Sequence, residues 1–194
     1  MNSDPSPVAI LAIRVLWTLL WGYWALSALS SRRTNRAQRS AWYLIHLAMV
    51  LPAYLLPLVG VYRIGFLAER MLPRSGLAEL CGVLLAALGV GFAVCARKHL
   101  GSYWSGNVTI KDKHRLIRTG PYRLVRHPIY TGLLTALIGT AIVVGQWHAL
   151  VAVAIAVIAM IRKIRLEERW LGQHMGEEYR RYQAETRALV PLIV

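Results

Sequence analysis

Long apolar runs set off by short basic loops constrain this chain more than any other feature. About 20 consecutive apolar residues are enough to span a bilayer as a helix. Four stretches meet or approach that length: 8–30, 40–62, 76–96 and 128–145. A fifth apolar stretch, 149–160, runs straight into a charged segment that ends near His174. Only 16% of the 194 residues are charged, where a soluble domain of this size carries nearer a quarter. The expected fold class is all-α: a polytopic membrane protein of five transmembrane helices, forming a single domain over 1–194. Residues 1–75 supply two spans and a linker, and 76–194 form the core.

The charge of the loops orients the bundle. Arg32, Arg33, Arg36 and Arg39 give the first loop +4. Arg63, Arg70 and Arg74 against Glu69 give the second +2. Eight basic residues against Asp112 give the third, 97–126, +7. The fourth loop, Gln146-Trp147-His148, reads as a tight turn without charge, and the N-terminal tail has only Asp4. Basic loops stay on the cytosolic side. Five spans therefore place the N-terminus outside and the C-terminus in the cytosol. The third loop and the C-terminal charged block then meet on one membrane face. The net charge of +14 follows this loop pattern, which suits anionic headgroups. No nucleic-acid motif accompanies it, so no nucleic-acid partner is expected.

Several residues inside the spans have bland roles as their first expectation. Pro52 and Pro57 predict a kink in the second span. His46 there is expected to hydrogen-bond to a neighbouring helix. Gly82, Gly89 and Gly91 in the third predict close helix packing. Arg14 is placed to snorkel, and Glu79 to sit at the interface. Cys81 and Cys95 are expected to be packing residues. Fourteen residues of one helix separate them by about 21 Å, too far to bond. No CxxC or HxxxH pair suggests a metal site. The first run lacks a basic start and a cleavage site, so it is expected to remain in the membrane.

Chemistry concentrates in two charged blocks. In 115–132, RLIRTGPYRLVRHPIYTG, Gly120-Pro121 signals a turn and His127-Pro128 a helix start. Spacings of three and four then put His127, Tyr130 and Thr131 on one helical face. A helix N-terminus at the bilayer surface also offers N–H groups to a carboxylate or an oxygen-rich ligand. In 162–182, Lys163 and Glu167 are four apart, beside Arg162, Arg165, Glu168 and Arg169. Weak salt bridges on a solvated helix would explain that pattern. Two carboxylates just below a membrane could equally hold the cationic or hydroxyl-rich parts of a ligand. Gly176 breaks the helix, and a short amphipathic one is expected over 177–187.

With these strings in view, the chain resembles the isoprenylcysteine carboxyl methyltransferase family, part of a wider group that includes phospholipid N-methyltransferases. The resemblance rests on His114-x-Leu116-Ile117, Thr119-Gly120-Pro121-Tyr122-Arg123, Arg126-His127-Pro128-x-Tyr130-x-Gly132, and Glu167-Glu168. It continues in Gly176-Glu177-Glu178-Tyr179-x-x-Tyr182 ahead of Val190-Pro191-Leu192. It covers roughly the last hundred residues. It implies S-adenosyl-L-methionine in a cytosolic pocket built from the third loop and the C-terminal helices. Cofactor contacts by motif position are His114, Arg115, Leu116, Ile117, Tyr122, His127, Pro128, Ile129, Tyr130 and Glu167. The catalytic pair so implied is Glu167 and Lys163, with Lys163 also binding substrate. The family has arginine where Lys163 stands, so the charge is kept and the planar fork is not.

The resemblance favours carboxyl O-methylation of a lipophilic substrate that enters from the bilayer among membrane lipids. An N- or S-methylated phospholipid or small lipophile is the alternative acceptor. The arginine- and alanine-rich composition has a bacterial character and suggests an inner membrane. No glycine-rich GxGxxG turn in a strand–helix setting is present, so a soluble-type cofactor fold is not expected. A non-catalytic transporter or scaffold is the rival class. A transporter should bury ionisable groups at mid-membrane, and these spans carry almost none.

Overall fold

A computed structural model describes residues 5–29, 65–101 and 116–190. The described residues are helical and carry no strand. In chain order they form α1 (Pro7–Leu29), a 3-10 turn (Gly65–Ala68), α2 (Gly76–Leu100), α3 (Pro121–Leu124), α4 (Pro128–Val144), α5 (Trp147–Met175) and α6 (Glu177–Glu185). The expected second span, with His46, Pro52 and Pro57, lies outside the described residues.

The helix boundaries follow from local chemistry. Ser75 caps α2, its side chain accepting from the Ala78 N–H. Pro128 opens α4, where a missing N–H costs nothing. Gly145 ends that helix in the left-handed conformation, at φ 65°. Gly176 ends α5 at φ 56°.

Of the described helices, α1 and α2 are long and apolar enough to cross a membrane. Helix α4 is apolar but has 17 residues, about 25 Å at 1.5 Å per residue. The first half of α5 is apolar and its second half is charged. Many large apolar side chains on the outer faces are exposed, among them Leu11 and Leu19 of α1, Leu84 and Leu88 of α2, and Ile158 of α5.

The centre of the bundle is the antiparallel contact between α2 and α4. Gly82 and Gly89 face Gly139 and Gly132. A Cβ on Gly89 would lie 2.4 Å from the Ala136 backbone nitrogen, and one on Gly132 would lie 2.6 Å from that of Ala93. These positions repeat every seven residues on both helices, so two backbones run together over two turns with glycine and alanine between them. Gly91 takes no part, since a Cβ there would meet nothing within 4 Å. Helix α1 packs on this pair through Ile13, Trp17 and Leu20. The buried Trp17 indole donates to Thr140 Oγ1 at 3.0 Å, and that hydroxyl donates to the Ala136 carbonyl at 2.9 Å. Both polar groups are thereby satisfied in an apolar core.

Four expectations change. Cys81 and Cys95 are free and exposed, on the side of α2 away from the glycine seam. Glu79, in the first turn of α2, keeps its expected place near the helix start; it accepts from the Ser6 N–H at 3.2 Å and sits 3.8 Å from Arg74. Arg97 is part of the last turn of α2 and not of the loop. It is buried and donates to the carbonyls of Ser27 and Gly101, at 3.2 and 3.0 Å. The α4–α5 connection is shorter than expected, because Trp147 and His148 are already helical. Chain segment 67–72 clamps that connection. Met71 N–H donates to the Gly145 carbonyl at 2.8 Å, Trp147 N–H to that of Glu69 at 3.2 Å, and His148 Nδ1 pairs with that of Leu67 at 3.2 Å. The last helix also stops at Glu185, two residues short of its expected end.

Candidate active site

The site forms where the start of α4, the charged half of α5 and the tail after α6 converge. Three hydrogen bonds to backbone carbonyls of the tail set the frame. Arg126 N–H donates to the Arg187 carbonyl at 2.7 Å, and His127 N–H to that of Ala188 at 3.0 Å. Thr131 Oγ1 donates to the Leu189 carbonyl at 2.7 Å. The C-terminal tail is thus tied along the entrance to α4.

Glu167 and Glu168, adjacent on α5, have different surroundings. Glu168 is enclosed. Arg126 Nε donates to its Oε1 at 2.8 Å, and His127 Nε2 lies 3.1 Å from the same oxygen. Gln183 Nε2 donates to Oε2 at 3.2 Å. Burial by itself would raise the Glu168 carboxyl. The hydrogen bonds from His127 and Arg126 outweigh it, as does the Arg126 charge, and hold the carboxyl at about 2. Arg126 is fixed in turn, donating through Nη1 to the carbonyls of Gln183, at 3.2 Å, and Thr186. Glu168 is therefore the knot that ties α4, α5 and α6 together.

Glu167 is more open. Its Oε1 accepts from the Tyr130 hydroxyl at 2.9 Å and lies 3.7 Å from Lys163 Nζ. Its Oε2 faces His127 Nδ1 at 3.6 Å, longer than a hydrogen bond. His127 and Tyr130 stack with centroids 5.7 Å apart, as their shared helical face predicts. Thr131 turns instead to the tail. Lys163 and Glu167 form the i, i+4 pair read from the sequence.

The approach to the cluster is shaped by Gly120 and Tyr122. Gly120 has φ 58°, and a Cβ there would strike the His99 ring at 2.6 Å, so two reasons require glycine. His99 Nε2 lies 2.8 Å from Thr119 Oγ1, and its ring stacks on Tyr122 at 6.3 Å. Tyr122 is buried, and its carbonyl accepts from the Tyr182 hydroxyl at 2.5 Å. Burial pushes the Tyr182 phenol up to about 12, and that of Tyr122 higher still.

His127, Pro128, Tyr130, Lys163 and Glu167 come together. Leu116, Ile117 and Ile129 are half-buried nearby in the chain, whereas His114 and Arg115 lie outside the described residues. Arg126, Gln183 and Thr186 were not expected in the site. Gln183 lies four residues along α6 from Tyr179, and Thr186, the residue that caps α6, four from Tyr182, a pattern visible in the sequence. That Gln183 and Thr186 face Arg126 and Glu168 is a matter of how the tail folds back.

The comparisons with known proteins bear on this same segment. Residues 82–173 match the isoprenylcysteine carboxyl methyltransferase family. The resemblance read from the sequence therefore holds over the stretch that contains α4 and most of α2 and α5. A probable protein-S-isoprenylcysteine O-methyltransferase of Oryza sativa subsp. indica is 36% identical over 84 residues, 43% of this chain and 44% of that protein. A methanethiol S-methyltransferase of Bradyrhizobium diazoefficiens is 41% identical over 70 residues, 36% of this chain and 24% of that protein. Among solved structures, a eukaryotic intramembrane Ras methyltransferase, isoprenylcysteine carboxyl methyltransferase, aligns with a TM-score of 0.57 at 23% identity. It covers 81% of this chain and 55% of that one. The fold is of that type. The chain spans about half the length or less of the relatives it matches.

Proposed function

We propose that this chain is an integral-membrane, S-adenosylmethionine-dependent methyltransferase acting on a carboxylate of a lipophilic substrate. The observation that carries this proposal is the open carboxylate Glu167, set between Tyr130, His127 and Lys163 and braced by the closed Glu168–Arg126 pair. The match of 82–173 to a methyltransferase family supports it.

The residues present fit the donor. Glu167 Oε2 has no hydrogen-bond partner among the described residues and can accept from a hydroxyl or an ammonium. The stacked His127–Tyr130 pair and the buried Tyr122 line the approach. We place cofactor contacts on His114, Arg115, Leu116, Ile117, Tyr122, His127, Pro128, Ile129, Tyr130 and Glu167. When bound, S-adenosylmethionine supplies an electrophilic methyl group, already activated by its sulfonium. A carboxylate acceptor attacks in line without a general base. The chain's own work is alignment and exclusion of water. Lys163 supplies a cation for the acceptor, as a point charge rather than a planar fork.

The topology belongs to the same proposal. Five spans, with the N-terminus outside and the pocket in the cytosol, put a polar donor and a membrane-borne acceptor on opposite sides of one site. A bacterial inner membrane suits the composition.

The likeness to a methanethiol S-methyltransferase favours one second reading, a thiolate acceptor. Membranes carrying the protein, given methyl-labelled donor, separate the two. A carboxyl ester releases labelled methanol in alkali, whereas a thioether or a methylated amine does not. Alkali-labile label in lipid extracts supports carboxyl transfer. Label that survives alkali overturns it, and no label at all overturns the enzyme.

A further inference from the structure

Tyr179, on α6, is 1% exposed, yet its hydroxyl has no hydrogen-bond partner among the described residues. Tyr182, three residues on and 6.1 Å away ring to ring, is equally buried and donates to the Tyr122 carbonyl. Of two phenols on one helical face, one is satisfied and the other is not. Burying a hydroxyl without a partner is a cost that phenylalanine would avoid while filling nearly the same volume. An orphan of this kind in a folded chain needs an explanation.

Its surroundings supply one. Gln183, four residues on along the same face of α6, donates to Glu168 Oε2 at 3.2 Å, and its carbonyl accepts from Arg126. Tyr179 therefore borders the Glu168–Arg126 pair from the α6 side. Glu168 already accepts from Arg126 and Gln183 and pairs with His127. Tyr182 has its own acceptor.

We propose that the Tyr179 hydroxyl donates a hydrogen bond to the nucleoside half of the bound methyl donor, a role that rests on the S-adenosylmethionine reading of the same site. The chemistry of the neighbours selects that half. The ligand's carboxylate is disfavoured beside Glu168, and its ammonium offers no acceptor to a phenol. Ribose oxygens and adenine ring nitrogens remain. Burial raises the phenol well above its ordinary range, so it keeps its proton and stays a donor at any working pH.

The test is Tyr179→Phe in the full chain, reconstituted in lipid nanodiscs. Calorimetric titration uses S-adenosylmethionine and 5′-methylthioadenosine, which keeps the nucleoside and lacks the amino acid. The proposal expects Kd to rise about 10-fold for both, the scale of one lost hydrogen bond. It also expects the ligand-free melting temperature to hold or rise, because an orphaned hydroxyl has been removed. An unchanged Kd for both ligands overturns it. So does a weakening confined to S-adenosylmethionine, which would assign the hydroxyl to the amino-acid half. A lowered ligand-free melting temperature also overturns it, as a hydroxyl bonded within the protein or to buried water would give. Wild-type protein that binds neither ligand defeats the methyltransferase reading itself, a separate outcome.

Discussion

The glycine seam and the ionic knot share helix α4, yet they are built on opposite terms. At the seam, Gly89 and Gly132 bring two backbones together by having no side chains to separate them. At the knot, three bodies of chain are joined by side chains: Arg126 and His127 from the entrance to α4, Glu168 from α5, Gln183 from α6. The first is strictly steric and tolerates no addition. The second is electrostatic and tolerates no deletion. On the function proposed above, a bundle that holds an apolar acceptor at one level and a charged donor at another has reason to use both.

Substitutions at the seam break this comparison most severely. Gly89→Leu would drive a side chain into the Ala136 backbone, for which rotamer changes offer no relief. The expected loss is about 4 kcal/mol or more, beyond ordinary overpacking, seen as absence of a monodisperse folded species in detergent. Gly91→Ala sharpens the point with the opposite sign and the smallest effect.

At the knot, Glu168→Ala should cost about 3 kcal/mol, because it leaves Arg126 buried without its carboxylate. Chemical denaturation would read that loss directly. The pH dependence has a defined sign. The folded carboxyl is lowered to about 2 from 4.5, so its contribution is present above pH 4.5 and fades as pH falls towards 2. Glu168→Gln should flatten the stability profile in that window.

Glu167, one residue away, should behave differently. Its carboxylate is less enclosed, and Glu167→Gln is expected to leave the melting temperature within a degree or two. The same change should weaken S-adenosylmethionine binding about 10- to 100-fold, the scale of a hydrogen bond to a charged group. Equal stability losses at the two positions would remove the distinction between strut and ligand.

These contrasts also mark how far the sequence alone can be read. Gly82 and Gly89 were legible as a packing face because spacing in a helix is local. So were the α4 start at His127-Pro128, its end at Gly145, and the Lys163–Glu167 pair. Gly91 shows the limit: it shares the composition of the seam but falls on another face. Arg97 was misplaced because its partner Ser27 comes from a distant helix that no local pattern names. The roles of Gln183 and Thr186 were hidden for the same reason. They depend on the tail returning beside Arg126, a contact across about sixty residues.

The smallest expected effect is at Gly91. A Cβ there meets nothing within 4 Å, so Gly91→Ala should stabilise by under about 1 kcal/mol through helix propensity. A thermal melt with both alanine variants, at 89 and 91, should therefore move in opposite directions.

The most direct measurement is calorimetric titration of S-adenosylmethionine into the purified chain in lipid nanodiscs, beside its Glu167→Gln variant. Saturable one-to-one binding, weakened at least tenfold in the variant, is the predicted result. Heat no larger than dilution in the wild type, or identical affinity in both proteins, would contradict a methyl donor held at Glu167.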